Sequence, residues 1–190
     1  MIKRVLFFCL LLTIIPWICF SQATTGIKLG GGVYQLSRIN GNSEFGYEAG
    51  FFSKAELGKK ASLLLELDYS VKKAEIISNE RKSKLEQNFV NFRFSGSYDF
   101  NEHFFLAAGP SFSYMIHPVQ SLQLIPYSYF THFAVGIDPC IGYETARFIF
   151  IVRYEIALTV LTLESTPEAA GNILTGTHWR GVKVGVGVKL

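Results

Sequence analysis

The chain is poor in cysteine, poor in charge and, past its first residues, without any long apolar run. Cys9 and Cys19 fall in an apolar leader, which leaves Cys140 alone in the remainder of the 190 residues. No disulfide within the mature chain can form, so its sheet must hold the fold. Without Lys3 and Arg4 the chain carries 16 basic against 15 acidic residues, a net charge of +1. That balance argues against a nucleic-acid partner. No segment after the leader could be a transmembrane helix, which needs about 20 apolar residues. The histidines His103, His117, His132 and His178 show no metal-ligand spacing such as H-E-x-x-H. No metal, cofactor or catalytic residue is expected.

The leader itself is informative. Lys3 and Arg4 form a basic start, Val5–Ile15 an apolar stretch, and Ser21-Gln22-Ala23 a small-residue cleavage zone. Residues 1–23 therefore read as a secretory signal peptide, cut before Gln22 or after Ala23. Pro16 interrupts the run, which argues against an anchoring helix, and Ile18 before Cys19 argues against a lipoprotein signal. Residues 24–190 remain as one domain.

Within that domain the side chains alternate. In Arg147–Thr159, Phe148, Phe150, Val152, Tyr154, Ile156 and Leu158 share one face of an extended strand. Arg147, Arg153, Glu155 and Thr159 share the other. A continuously bulky face opposite a charged one suits a wall with lipid outside and a polar lumen inside. Eight such segments can be placed: Gly26–Leu36, Phe45–Leu57, Ser62–Lys73, Phe89–Phe100, His103–Ile116, Tyr129–Gly142, Arg147–Thr159 and Thr177–Leu190.

The connections between them alternate in length. Gly58–Ala61, Asn101–Glu102 and Tyr143–Ala146 are tight; Ser37–Glu44, Ala74–Asn88, His117–Ser128 and Val160–Gly176 are long. Short periplasmic turns and long outer loops belong to outer-membrane barrels. The expectation is an all-β fold: a single antiparallel, eight-stranded transmembrane β-barrel with up-and-down connections. Outward aromatics gather near both ends, Phe100, Phe104, Tyr143 and Phe148 by the short turns and Phe45, Tyr47, Tyr69 and Tyr129 by the long loops. They fit the two interfacial girdles of such a barrel. Pro110 and Pro139 interrupt their segments and predict a β-bulge or a strand end at each.

Three stretches resemble the small outer-membrane β-barrel family that includes the PorT-like proteins of Bacteroidota. Leu106-Ala107-Ala108-Gly109-Pro110 is similar to the family's E-A-G-P strand. Val152-Arg153-Tyr154-Glu155 with Leu158-Thr159 is similar to its A-R-Y-x-x-G-L-x-N segment, although Ala157 and Val160 depart from it. Val182–Leu190 resembles its terminal strand, yet ends in Leu190 where an aromatic is common. The resemblance implies an eight-stranded barrel without a settled activity. If it extends to role, secretion-system proteins are partners, beside outer-membrane lipid, lipopolysaccharide and the barrel-assembly machinery.

The candidate site is the set of inward charges: Lys28, Glu48, Lys54, Glu56, Glu66, Asp68, Arg93, Asp99, Asp138, Arg153, Glu155, Lys183 and Lys189. Eight strands enclose a space that side chains can fill, so the near-balance of sign favours mutual pairing over a selective pore. A plugged, non-enzymatic barrel with loops as its interaction surface is the leading expectation. The alternatives are a lipid-modifying membrane enzyme, for which no His-x-Ser pattern stands out, and a secreted lipocalin-like carrier, against which the charged interior argues. Gly30–Gly32, Gly181, Gly185 and Gly187 lack the strand–loop–helix setting of a phosphate loop and suit barrel closure instead. The basic run Asn79–Lys84 reads as a solvated loop.

Overall fold

The computed structural model describes residues 23–37, 41–78, 81–120, 131–160 and 177–190. The leader before Ala23 and residues 38–40, 79–80, 121–130 and 161–176, with Tyr129 among them, lie outside the described residues.

Among the described residues ten strands follow in order: β1 (Ala23–Leu36), β2 (Glu44–Glu56), β3 (Ala61–Ser78), β4 (Arg81–Asp99), β5 (Phe104–Ala108), β6 (Pro110–Gln120), β7 (Phe133–Ile137), β8 (Cys140–Glu144), β9 (Phe148–Ala157) and β10 (Trp179–Lys189). Every pairing is antiparallel, and β10 pairs with both β9 and β1, so the sheet closes on itself. β5 and β6 lie end to end against β4, while β7 and β8 lie end to end against β9. The ten strands therefore make a ring of eight courses.

The two split courses are where the prolines sit. Proline has no N–H to give to a ladder, and a closed ring has no free edge to hide it. Each course accordingly breaks, at Gly109 and at Asp138-Pro139. The register does not slip: Ala107 faces Cys140 below the gaps and Pro110 faces Ile137 above them. The bulge lies elsewhere, between Asn88 and Phe89 where the pairing of β4 with β6 shifts.

The segment Ala74–Asn88 is not the long loop expected from its polarity. β3 continues to Ser78 and β4 begins at Arg81, in one continuous register from Ala61↔Tyr98 to Ser78↔Arg81. Opposite charges on the outer face explain it. Lys73 stands across from Glu86 with its Nζ 2.9 Å from the carboxylate, and Glu75 stands across from Lys84. Cross-strand pairs of this kind support a ladder in water. The hydrogen bond to the Glu86 carboxylate holds the Lys73 ammonium above its ordinary pKa.

Below these charges the outer face is apolar. Val90, Phe92, Phe94 and Tyr98 on β4 and Phe100 just after it are exposed, as are Phe148, Phe150, Val152 and Tyr154 on β9. From Val90 to Phe100, at about 3.3 Å per residue and a tilt near 40°, the band is roughly 25 Å tall. Phe104 and Tyr143 pack with ring centroids 4.9 Å apart at the short-turn end, and Phe45, Tyr47 and Tyr69 are exposed toward the other end.

Candidate functional site

The inner face of the ring is filled, in four layers. At the short-turn end Lys54 Nζ donates to Asp99 Oδ1 at 2.7 Å and to Glu144 Oε2 at 2.8 Å. Ser62 Oγ donates to Asp99 Oδ2 at 2.6 Å, and Lys189 Nζ lies 2.6 Å from Glu144 Oε1. These groups floor a basin of about 560 Å³ whose walls include Glu56, Lys59, Lys60, Glu102 and His103.

An apolar layer follows: Phe52, Leu64, Phe105, Ala107, Cys140, Ile149 and Ile151. The large rings fit because glycines stand beside them. A Cβ on Gly187 would come within 2.6 Å of the Phe52 ring, and one on Gly142 would collide with the Phe105 ring.

The third layer is ionic. Lys28, Lys72, Arg93, Arg153 and Lys183 meet Glu48, Glu66, Asp68, Asp138 and Glu155, each no more than 7% exposed. Five cations thus face five anions. Lys28 Nζ is 2.6 Å from Glu66, 3.2 Å from Asp68 and 3.3 Å from Glu48. Arg93 donates to Asp138 at 2.6 Å, to Glu48 at 3.3 Å and to Asp68. Arg153 donates to Glu66, and Lys72 to Glu155. Lys183 donates to Glu155 at 2.8 Å and to Glu48 at 3.1 Å. Asn91 donates to Asp68 and to Ser70, both at 2.8 Å, while Ser111 donates to Asp138 at 3.0 Å. Charges this far from water persist only when paired and hydrogen-bonded.

Above them lies a mixed layer of Tyr34, Leu36, Leu85, Gln87, Phe89, Met115 and Trp179, all buried. Trp179 Nε1 donates to Gln87 Oε1 at 2.9 Å, and the Tyr34 and Trp179 rings meet edge to face at 6.4 Å. Lys72 Nζ sits 4.7 Å from the Phe89 ring centre, a cation–π contact.

Of the thirteen charges named from the sequence, nine fall in the central layer and Lys54, Asp99 and Lys189 at the rim. Glu56 differs: at the last position of β2 it is exposed beside the basin rather than enclosed. Two members were missed. Lys72 follows Val71 at the far end of its segment, and Glu144 lies in what reads as a turn. The signal for Lys72 was parity, since it continues the inward series Glu66, Asp68, Ser70. Ile149 and Ile151 share that inward parity with Arg153, yet in sequence they merge with the bulky outer residues.

Five buried polar atoms in the lumen have no hydrogen-bond partner among the described residues: Ser97 Oγ, Ser95 Oγ, Arg153 Nη1, Tyr34 Oη and Gln87 Nε2, although Arg153 Nη1 lies 3.9 Å from the Asp138 carboxylate. An unsatisfied buried group of this sort costs about 1–3 kcal/mol. Among the described residues no group of three His, Cys, Asp or Glu side chains is arranged to hold a metal ion. His103 Nδ1 and His178 Nδ1 each lie 3.0 Å from a backbone carbonyl, of Glu144 and Thr159 respectively.

A closed antiparallel ring with a 25 Å apolar girdle and charges inside is a membrane barrel in its physics. Residues 20–162 match the family described as outer membrane protein beta-barrel domain. The chain belongs to that family, and it is a protein of the outer membrane. Neisserial surface protein A shares the fold, with a TM-score of 0.58 over 90% of this chain and 100% of that one at 12% identity. Ail, the attachment invasion locus protein of Yersinia pestis, aligns at a TM-score of 0.46, with 9% identity and 89% and 99% coverage. OprG from Pseudomonas aeruginosa aligns at 0.47, with 8% identity and 88% and 94% coverage. At such identities the likeness is one of fold alone. No curated protein matches the sequence.

Proposed function

We propose that this outer-membrane barrel is a non-enzymatic anchor, closed to ions by its interior, whose long connections form the interaction surface. The observation that carries the closure is the central layer of five cations and five anions. An open pore needs fixed charges facing water, whereas these face one another. The cavity lined by Lys28, Glu48, Glu66, Arg153 and Lys183 measures only about 10 Å³, at the lower limit for one water molecule. Purified protein in planar bilayers is expected to show no steady conductance, and a reproducible open-channel current would overturn the closure.

The engagement of His103 Nδ1 and His178 Nδ1 with backbone carbonyls supports the non-enzymatic reading, because that nitrogen of each ring is already occupied. With short turns on the periplasmic side, the β3–β4 hairpin rises outside, and the exposed Lys84 sits where lipopolysaccharide head groups lie. A secretion apparatus is the partner class that the PorT-like resemblance names first, and the barrel-assembly machinery is the partner during insertion. Two outcomes are expected: lipid A mass spectra unchanged by the protein, and a secretion protein retained on it in mild detergent. Altered acylation, or a barrel that comes through detergent alone, would count against the respective half.

A further inference from the structure

We propose that the lumen carries a single file of water, so that the barrel passes water while remaining tight to ions. The unpartnered polar atoms are not scattered. Ser97 and Ser95 occupy successive inward positions on β4 within the apolar layer, where Ser97 faces Ser62 and Ser95 faces Leu64. Arg153 Nη1 belongs to the ionic layer, Tyr34 Oη to the layer above, and Gln87 Nε2 to the same upper layer beside Trp179. Every layer above the rim therefore holds at least one buried polar atom without a hydrogen bond from the described residues.

Buried polar groups find partners, and where protein supplies none, ordered water does. The side chains at both ends of the serine pair are already polar. Ser62 donates to Asp99 at the floor of the basin, and Ser111 donates to Asp138 in the ionic layer. The β4 wall thus offers a polar seam through a layer that is otherwise Phe52, Leu64, Phe105, Ile149 and Ile151. Beside Arg153 the cavity of about 10 Å³ admits one water and nothing larger. A hydrated ion would have to shed its shell among apolar groups and then part the ion pairs. A water molecule would only exchange hydrogen bonds.

Proteoliposomes shrinking under an osmotic step, followed by light scattering, test the proposal. The native barrel is expected to raise the shrinkage rate several-fold over protein-free vesicles. The double variant Ser95→Val/Ser97→Val, which replaces the seam with methyl groups, is expected to return it to the protein-free rate. Heat-dependent gel mobility shows whether that variant folds; if it does not, Gln87→Leu interrupts the file at its other end and is expected to act alike. A native rate equal to that of protein-free vesicles overturns the proposal, as does a folded variant that leaves the rate unchanged. The planar-bilayer measurement fails separately, because a current would refute closure to ions without bearing on this rate.

Discussion

Arg93 pairs with carboxylates from four other courses of the ring: Glu48 on β2, Asp68 on β3, Asp138 between β7 and β8 and, at 3.9 Å, Glu155 on β9. Removing its guanidinium leaves those anions in a space where 1% of the residue meets solvent. Breaking a buried pair from one side costs about 3–5 kcal/mol. Arg93→Ala should lower the unfolding free energy from urea titration in micelles or vesicles by that amount, and a loss under about 1 kcal/mol would mean water reaches the cluster freely. Parity made Arg93, Arg153 and Glu155 legible in the sequence. It did not separate Ile149 from Phe148, because alternation between two apolar residues leaves no contrast to read. Lys72 and Glu144 were hidden for another reason. Each lies where a strand was judged to end, and inwardness is defined only while the strand continues.

At the level of elements, the punctuation of the chain was legible and its cause was partly so. Pro110 and Pro139 announced strand ends, which the fold places at the corresponding gaps. The charges of Ala74–Asn88 misled, because opposite signs across a hairpin extend a ladder that isolated signs would end. Gly109 adds a constraint invisible in one dimension: a Cβ there would collide with the carbonyl oxygen of Phe94 on the adjacent strand. Gly96, on β4, has nothing within 4 Å of its would-be Cβ. Gly109→Ala should therefore destabilise by about 1–3 kcal/mol through overpacking, whereas Gly96→Ala should fall within about 1 kcal/mol of native. Equal midpoints for the two variants would show that the split course yields more easily than its geometry implies.

For the whole molecule, the ionic layer ties distant parts of the chain together. Lys183 on β10 neutralises Glu48 on β2 and Glu155 on β9, at sequence separations of 135 and 28. Such contacts form only when the ring is complete, so unfolding should be a single event. Trp179 is the one tryptophan after the leader and is buried beside Gln87, so its fluorescence reports the upper layer. Its urea transition should coincide with that of gel mobility, and two separated midpoints would reveal a stable partial barrel. The assembly pathway inherits a rule from this arrangement. A chain released to the bilayer before β10 has joined would bring four cations and five anions into hydrocarbon, with no water to neutralise the remainder. Delivery of the last strand, rather than the first, then completes the charge balance of the lumen.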